Sequence, residues 1–177
     1  MKKRLTLIQM DVRVNDVEYN YNRVQELLTQ SLSESPDIIV LPETWNTGFY
    51  PSTDLINIAD NNGARTKALL SAFAKEHNVN IVGGSVAVSK DDLVFNTSYA
   101  YNREGTLVGE YSKMHGFSPA KEDKYFASGT HTTHFELDGI PCSTVICYDI
   151  RFPELVRMAA LPGTELLFVP AQWPTMR

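Results

Sequence analysis

A chain of 177 residues with 43% hydrophobic and 21% charged residues has the composition of one globular domain, which excludes a fibrous or disordered protein. Its formal charge of −5, from 16 basic and 21 acidic residues, supplies no basic field for a phosphate backbone, so we expect no nucleic-acid partner. No apolar run approaches the roughly 20 residues that span a bilayer, which predicts no membrane partner and a cytoplasmic location.

The first half of the chain predicts two strand and helix units. Residues 5–10 are predicted to form a strand, and residues 16–32 have apolar side chains at helical spacing. The continuous apolar run 38–41 is typical of a strand that is covered on both faces. A loop over 42–63 then leads to a second predicted helix over 64–78.

The middle of the chain predicts strands that are joined by short turns. Three strands are expected over 81–88, 93–101 and 106–111, because polar and glycine residues separate these apolar runs. Residues 115–130 show no regular pattern and predict an irregular segment.

The last third predicts a hairpin, a helix and a final strand. Strands over 133–137 and 140–147 flank an aspartate and a glycine, which form a strong two-residue hairpin signal. A helix over 152–161 and a strand over 165–169 follow. The sequence of elements therefore predicts an α/β domain with a mixed sheet.

The two cysteines, Cys142 and Cys147, are predicted to lie on one strand. Five residues of strand separate their Cα atoms by roughly 16 Å, well beyond the limit of about 7 Å for a disulfide. With only His131 and His134 nearby they also make a poor zinc site, so no metal is predicted. At least one cysteine is then a buried small side chain or a nucleophile, and the reading as a buried core cysteine suits Cys142.

Three reactive side chains are predicted at the carboxyl ends of strands, where α/β sheets place their chemistry. Cys147 precedes a helix whose N–H groups can stabilise a thiolate. A thiol also needs a base or a cation, and Glu43 and Lys113 are candidates, with Lys113 able to lower the thiol pKa. Alone, each has an ordinary alternative: a core cysteine, a solvated glutamate and a surface lysine.

Together the three segments resemble one family. The runs are 41–43 (Leu-Pro-Glu), 113–115 (Lys-Met-His) and 147–154 (Cys-Tyr-Asp-Ile-Arg-Phe-Pro-Glu), of which the last is very specific. In this order they resemble the nitrilase superfamily, or carbon-nitrogen hydrolases, over nearly the whole chain. The resemblance implies a nitrilase-like αββα sandwich with mixed sheets over 1–177, and an apparently missing C-terminal part, since members usually continue further.

The resemblance also implies a mechanism of acyl transfer without metal or organic cofactor. Glu43 is the general base, Cys147 the nucleophile, and Lys113 with the backbone N–H of Tyr148 stabilises the oxyanion. Relatives have a second glutamate seven residues before a glycine, and Glu122 matches that position.

Further roles are implied by the resemblance around this triad. Asp149, Arg151 and Glu154 are expected to brace the turn after the nucleophile through ion pairs. The expected pocket walls are aromatic residues, namely Phe117, Tyr125 and Trp173.

The resemblance is nearest to the omega-amidase (Nit2-like) branch, which implies a small amide substrate such as 2-oxoglutaramate and a homodimer or larger homo-oligomer. The alternative from another class is a catalytically inactive binding module that retains the fold. A redox sensor is a third alternative, which the predicted distance between Cys142 and Cys147 disfavours.

Overall fold

The computed structural model describes residues 2–173, and its ten strands form two sheets. The larger sheet is mixed and has seven strands, and the smaller sheet has three. The strands of the larger sheet are β1 (Leu5–Leu7), β2 (Ile38–Val40), β3 (Asp60–Asn61), β4 (Asn80–Val82), β5 (Val86–Lys90), β6 (Leu93–Tyr101) and β7 (Leu107–Ser112). The strands of the smaller sheet are β8 (His134–Leu137), β9 (Ile140–Thr144) and β10 (Leu166–Phe168).

Each sheet contains both parallel and antiparallel strand pairs. In the larger sheet β1, β2 and β4 are parallel neighbours, whereas β6 runs antiparallel to β4, β5 and β7. In the smaller sheet β9 lies between parallel β10 and antiparallel β8. The β8–β9 turn has positive φ at Asp138 and Gly139, which confirms the predicted hairpin.

Helices cover the outer face of each sheet. The helices are α1 (Val17–Ser31), α2 (Leu55–Ile58), α3 (Ala64–His77), α4 (Glu122–Tyr125) and α5 (Pro153–Ala160). Asp16 caps α1 by accepting a hydrogen bond from the Tyr19 N–H, and Asn78 ends α3 with a left-handed conformation.

The alternation of side chains on β2 separates two buried layers. Ile39 packs in the core between the larger sheet and the helices α1 and α3. Ile38 and Val40 point the other way, into a core shared with Phe135 and Phe168 of the smaller sheet. α5 packs on the outer face of the smaller sheet. The order helix, sheet, sheet, helix confirms the predicted αββα sandwich.

The predicted strand over 81–88 is wrong as a single element, because Gly83 and Gly84 interrupt it between β4 and β5. Gly84 has φ +62°, and a Cβ there would lie 2.0 Å from the carbonyl oxygen of Pro42. Only glycine tolerates this close approach. β4 and β5 continue along the same edge of β6, so the interruption makes room for the loop that follows β2.

Other boundaries also differ from the predictions. β1 ends at Leu7, and the loop over 42–63 contains α2 and β3. β9 ends at Thr144, so Cys147 does not lie on that strand but begins a 3₁₀ helix over Cys147–Arg151. Both cysteines are free and buried, as predicted.

Candidate active site

Lys113 joins two buried carboxylates at the centre of the candidate site. Its Nζ lies 2.7 Å from Oε1 of Glu43 and 2.7 Å from Oε2 of Glu122. All three side chains are at least 96% buried. Cys147 lies beside them, close enough for the Glu43 carboxylate to raise the pKa of its thiol. The structure therefore brings together the four residues that the sequence singled out for chemistry.

Three of these residues, Glu43, Lys113 and Cys147, lie just beyond a strand, where the backbone is held by neighbouring segments, whereas Glu122 begins α4. Glu43 is the third residue after β2, and Thr44 next to it has φ +41°. Lys113 follows β7, and its N–H donates to the carbonyl of Asn96 at 2.8 Å. Cys147 itself has φ +46°, and its N–H donates to the carbonyl of Pro170 at 2.9 Å. Left-handed backbone at non-glycine residues is strained and is concentrated at functional sites.

Asp149 holds the turn that contains Cys147. Its carboxylate accepts hydrogen bonds from the Ile146 N–H at 3.0 Å and the Tyr111 hydroxyl at 2.7 Å. It also accepts from the His115 N–H at 2.9 Å and contacts His115 Nδ1 at the same distance. Asp149 thus braces the turn mainly through hydrogen bonds, and it links this turn to the segment that begins with Lys113.

The ion pairs predicted for Arg151 and Glu154 are absent from the described part of the chain. Both side chains are exposed, on the 3₁₀ helix and in the first turn of α5. The bracing is instead done by Asp149, because only its side chain points into the core between the segments. The prediction for Arg151 and Glu154 is therefore wrong.

Two opposing effects act on the charges of Lys113 and Glu122. Burial alone would lower the pKa of Lys113, but the carboxylates of Glu43 and Glu122 outweigh it and raise that pKa. Burial, together with the nearby Glu43, raises the pKa of Glu122 although Lys113 opposes this. Lys113 is accordingly a cation at neutral pH, placed to donate to a developing negative charge.

The Cys147 thiol is protonated in the resting site. Burial and the Glu43 carboxylate raise the pKa of Cys147 to about 12, and the opposing effect of Lys113 is weaker. Lys113 does lower the thiol pKa, as predicted. Burial and the Glu43 carboxylate raise that pKa by more, so the net shift is upward. A buried thiol of this kind requires a base at the moment of attack.

Two residues that the sequence did not point to contact Glu43. The side-chain N–H of Asn96 donates to Glu43 Oε1 at 3.1 Å, and the backbone N–H of Gln172 donates to Oε2 at 3.1 Å. Gln172 also accepts a hydrogen bond from the Thr44 hydroxyl at 3.2 Å. Asn96 lies within a strand and Gln172 follows one, so nothing in their local pattern distinguishes them.

A small pocket of about 40 Å³ opens beside the Cys147 thiol. Its lining consists of Phe49, Phe117, Cys147, Tyr148, Arg151, Gln172 and Trp173. Phe117 and Tyr148 meet edge to face, with ring centroids 5.1 Å apart. Two of the three residues predicted as walls, Phe117 and Trp173, thus line this pocket.

Tyr125 does not line this pocket. Tyr125 is the last residue of α4, and its side chain packs against a separate apolar cluster that includes Leu55, Ala87 and Val94. α4 turns Glu122 toward Lys113, and Tyr125 at the end of this single turn faces another way. The prediction of Tyr125 as a pocket wall is therefore wrong.

Residues 2–173 contain no group of three or more histidine, cysteine, aspartate or glutamate side chains that could hold a metal ion. Within the same residues, no helix combines the length and the apolar character needed to cross a bilayer.

Comparison with known sequences identifies close relatives. The chain is 40% identical over 177 residues to a 2-oxoglutaramate amidase of Bacillus subtilis (strain 168), with 100% of this chain and 68% of the relative covered. It is 33% identical over 176 residues to a hydrolase in the agr operon of Staphylococcus aureus, with 98% of this chain and 67% of the relative covered.

A solved structure and a family model agree with these relatives. The structure is that of a CN-hydrolase superfamily protein from Xanthomonas campestris with an arsenic adduct in its active site. It superimposes with a TM-score of 0.85 at 30% identity, covering 99% of this chain and 66% of that chain. The chain thus spans about two thirds of the length of these relatives. Residues 4–177 match the carbon-nitrogen hydrolase family model, and the chain belongs to the carbon-nitrogen hydrolase family.

Proposed function

We propose that this protein hydrolyses the C–N bond of a small amide to a carboxylate and ammonia through a thioester on Cys147. The observation that supports this most directly is that Glu43 contacts the Lys113 ammonium and lies close to the Cys147 thiol. A base, a nucleophile and a cation held close together are what acyl transfer requires.

The first half of the reaction forms the acyl-enzyme. Glu43 accepts the thiol proton while the sulfur of Cys147 attacks the amide carbon. Lys113 and the backbone N–H of Tyr148, in the first turn of the 3₁₀ helix, donate to the carbonyl oxygen as it becomes negative. Glu43 then returns the proton to the departing nitrogen, and the C–N bond breaks to release ammonia.

The second half regenerates the thiol. Glu43 takes a proton from water, whose oxygen attacks the thioester carbon, and Lys113 again stabilises the oxyanion. The C–S bond then breaks, the acid leaves, and the proton passes from Glu43 to the sulfur. Glu122 supports both halves by holding Lys113 through the 2.7 Å contact and the Phe117 N–H through its own carboxylate.

The proposed substrates are monoamides of small dicarboxylic acids, such as 2-oxoglutaramate. Arg151 supports this choice because it lines the pocket beside Cys147 and forms no ion pair with the other described residues. A guanidinium at this position can bind a distal carboxylate. The name of the Bacillus relative points to the same substrate.

The test is ammonia release from 2-oxoglutaramate and from pentanamide, a neutral amide of the same carbon number. Both the 177-residue chain and the longest chain that its gene encodes are assayed, with Cys147→Ala as the blank. We expect Cys147-dependent release that favours 2-oxoglutaramate. Equal turnover of the two amides would reject the substrate. No release from any small amide, with Cys147 alkylated by iodoacetamide no faster than Cys142, would favour an inactive binding module.

Arg151→Gln tests how the substrate is recognised. Loss of a charge-assisted hydrogen bond is expected to raise KM for 2-oxoglutaramate by about 10- to 100-fold and to leave KM for pentanamide unchanged. Arg157→Gln is the matched control, because Arg157 is also exposed but lies further along α5, outside the pocket. A KM that rises equally for both amides would show that Arg151 does not bind the carboxylate.

We further propose that residues 1–177 form one hydrolase domain, that the protein is cytoplasmic and that it forms homo-oligomers. A reducing compartment supports the chemistry, because a nucleophilic thiol must stay reduced. Assembly is supported by exposed apolar side chains at the end of α5, where Met158 and Leu161 are 55% and 68% exposed. Light scattering of the purified protein measures its mass in solution.

A further inference from the structure

The two oxygens of the Glu43 carboxylate have different surroundings. Oε1 accepts two hydrogen bonds, from Lys113 Nζ at 2.7 Å and from the Asn96 side chain at 3.1 Å. Oε2 accepts only the Gln172 backbone N–H, at 3.1 Å, among the contacts of the described chain. Because each carboxylate oxygen has about two lone-pair sites, Oε1 is saturated and Oε2 retains one site for a proton.

Asn96 reaches Glu43 from the middle of the larger sheet. It lies on β6, is 1% exposed, and its own carbonyl accepts the Lys113 N–H at 2.8 Å. Its backbone thus holds Lys113 while its side chain holds Glu43. The orientation of the amide is fixed by chemistry, because a carboxylate only accepts hydrogen bonds and must face the NH₂ group rather than the amide oxygen.

The oxygen of the Asn96 side-chain amide is placed differently from its nitrogen. Oδ1 of Asn96 is buried and has no hydrogen-bond partner among residues 2–173. Asn96 lines a cavity of about 80 Å³ that Lys113, Glu122 and Ser128 also line. A buried acceptor without a partner lowers stability, so packing alone does not account for an asparagine here.

We propose that Asn96 is a positioning residue for the general base. It fixes Glu43 Oε1 jointly with Lys113, so that Oε2 is the oxygen that exchanges the proton with the Cys147 thiol and with the leaving nitrogen. Without this hydrogen bond the carboxylate rotates about its last side-chain bond, and Oε1 competes for the thiol while remaining bound to Lys113. This inference rests on the amidase function proposed above.

Asn96→Leu tests the role with nearly unchanged shape. The variant removes both the amide nitrogen that donates to Glu43 and the unpartnered amide oxygen. The two leucine methyl groups take their places, and the adjoining cavity has room for the one that replaces the oxygen. We expect kcat to fall by about 10- to 100-fold, because a hydrogen bond to a charged group is lost, while KM stays within about twofold. The thermal midpoint should not fall.

Ser98→Ala is the matched control. Ser98 lies two residues further on the same face of β6, is 1% exposed, and also has a buried oxygen without a partner among the described residues. Its substitution should leave both kcat and KM unchanged. An Asn96→Leu protein with wild-type kcat, or one whose loss of kcat merely follows a lower thermal midpoint, would overturn the proposal.

Alkylation of Cys147 by iodoacetamide separates this inference from the proposed function. The rate depends on proton removal by Glu43 but not on the identity of the substrate. Asn96→Leu should slow it by at least about fivefold relative to wild type, with alkylation of Cys142 unchanged. If the wild type releases no ammonia from any amide, the amidase proposal fails, whereas equal alkylation rates in the two proteins would refute the role of Asn96.

Discussion

Replacing Cys147 by alanine is expected to reduce ammonia release by at least about 1,000-fold, the effect of removing the nucleophile of a covalent mechanism. The side chain is 9% exposed and lies close to Glu43 at the base of the pocket, so its loss removes the only atom there that can form the acyl-enzyme in the proposed mechanism. The measurement is single-turnover and steady-state ammonia release.

Cys142→Ala is the control for this experiment. Cys142 is also a buried free thiol, and burial raises its pKa to about 11, but it lies between the two sheets. Its substitution deletes one sulfur from the core and should lower stability slightly without changing kcat per folded molecule. Comparable ammonia release by the Cys147→Ala and wild-type proteins would contradict the thioester mechanism.

Replacing Lys113 by methionine is expected to lower the free energy of unfolding by about 3–5 kcal/mol at pH 7, because breaking a buried ion pair leaves an uncompensated charge. Two carboxylates, Glu43 and Glu122, would then face each other in a site that is almost fully buried. The variant should also lose amide hydrolysis, since no cation remains to stabilise the oxyanion. Urea unfolding provides the measurement.

The loss of stability should depend on pH in a definite direction. Burial already raises the pKa of Glu122 in the folded protein, and removal of Lys113 raises it further. A carboxyl group whose folded pKa lies above its unfolded value stabilises the fold at low pH, and this contribution is lost as the pH rises through the folded pKa. Lys113→Met should therefore be closer to wild type at pH 5 than at pH 8.

A double variant keeps this prediction testable even where the single variant unfolds. Lys113→Met with Glu122→Gln removes one of the two opposed carboxylates and should recover part of the lost stability at pH 8. A destabilisation that is equal at both pH values, and that the second substitution does not relieve, would mean that packing rather than charge holds Lys113 in place.

The layered fold was predictable because its signals are local. The apolar periodicity of α1 and α3, the continuous apolar run of β2 and the aspartate-glycine turn between β8 and β9 each depend on neighbouring residues alone. The break between β4 and β5 was not predicted, since what requires it is the carbonyl of Pro42, more than 40 residues earlier in the chain.

The sequence by itself determined the family and predicted the reactive residues, because Glu43, Lys113 and Cys147 stand in recognisable local motifs. Only the tertiary structure decided how they are held. Asn96, Asp149 and Gln172 act through hydrogen bonds to residues on other segments, and such contacts leave no periodic or spacing signal along the chain. The same reason explains the error at Tyr125, since the direction of a side chain in a single helical turn is set by the segments packed around it.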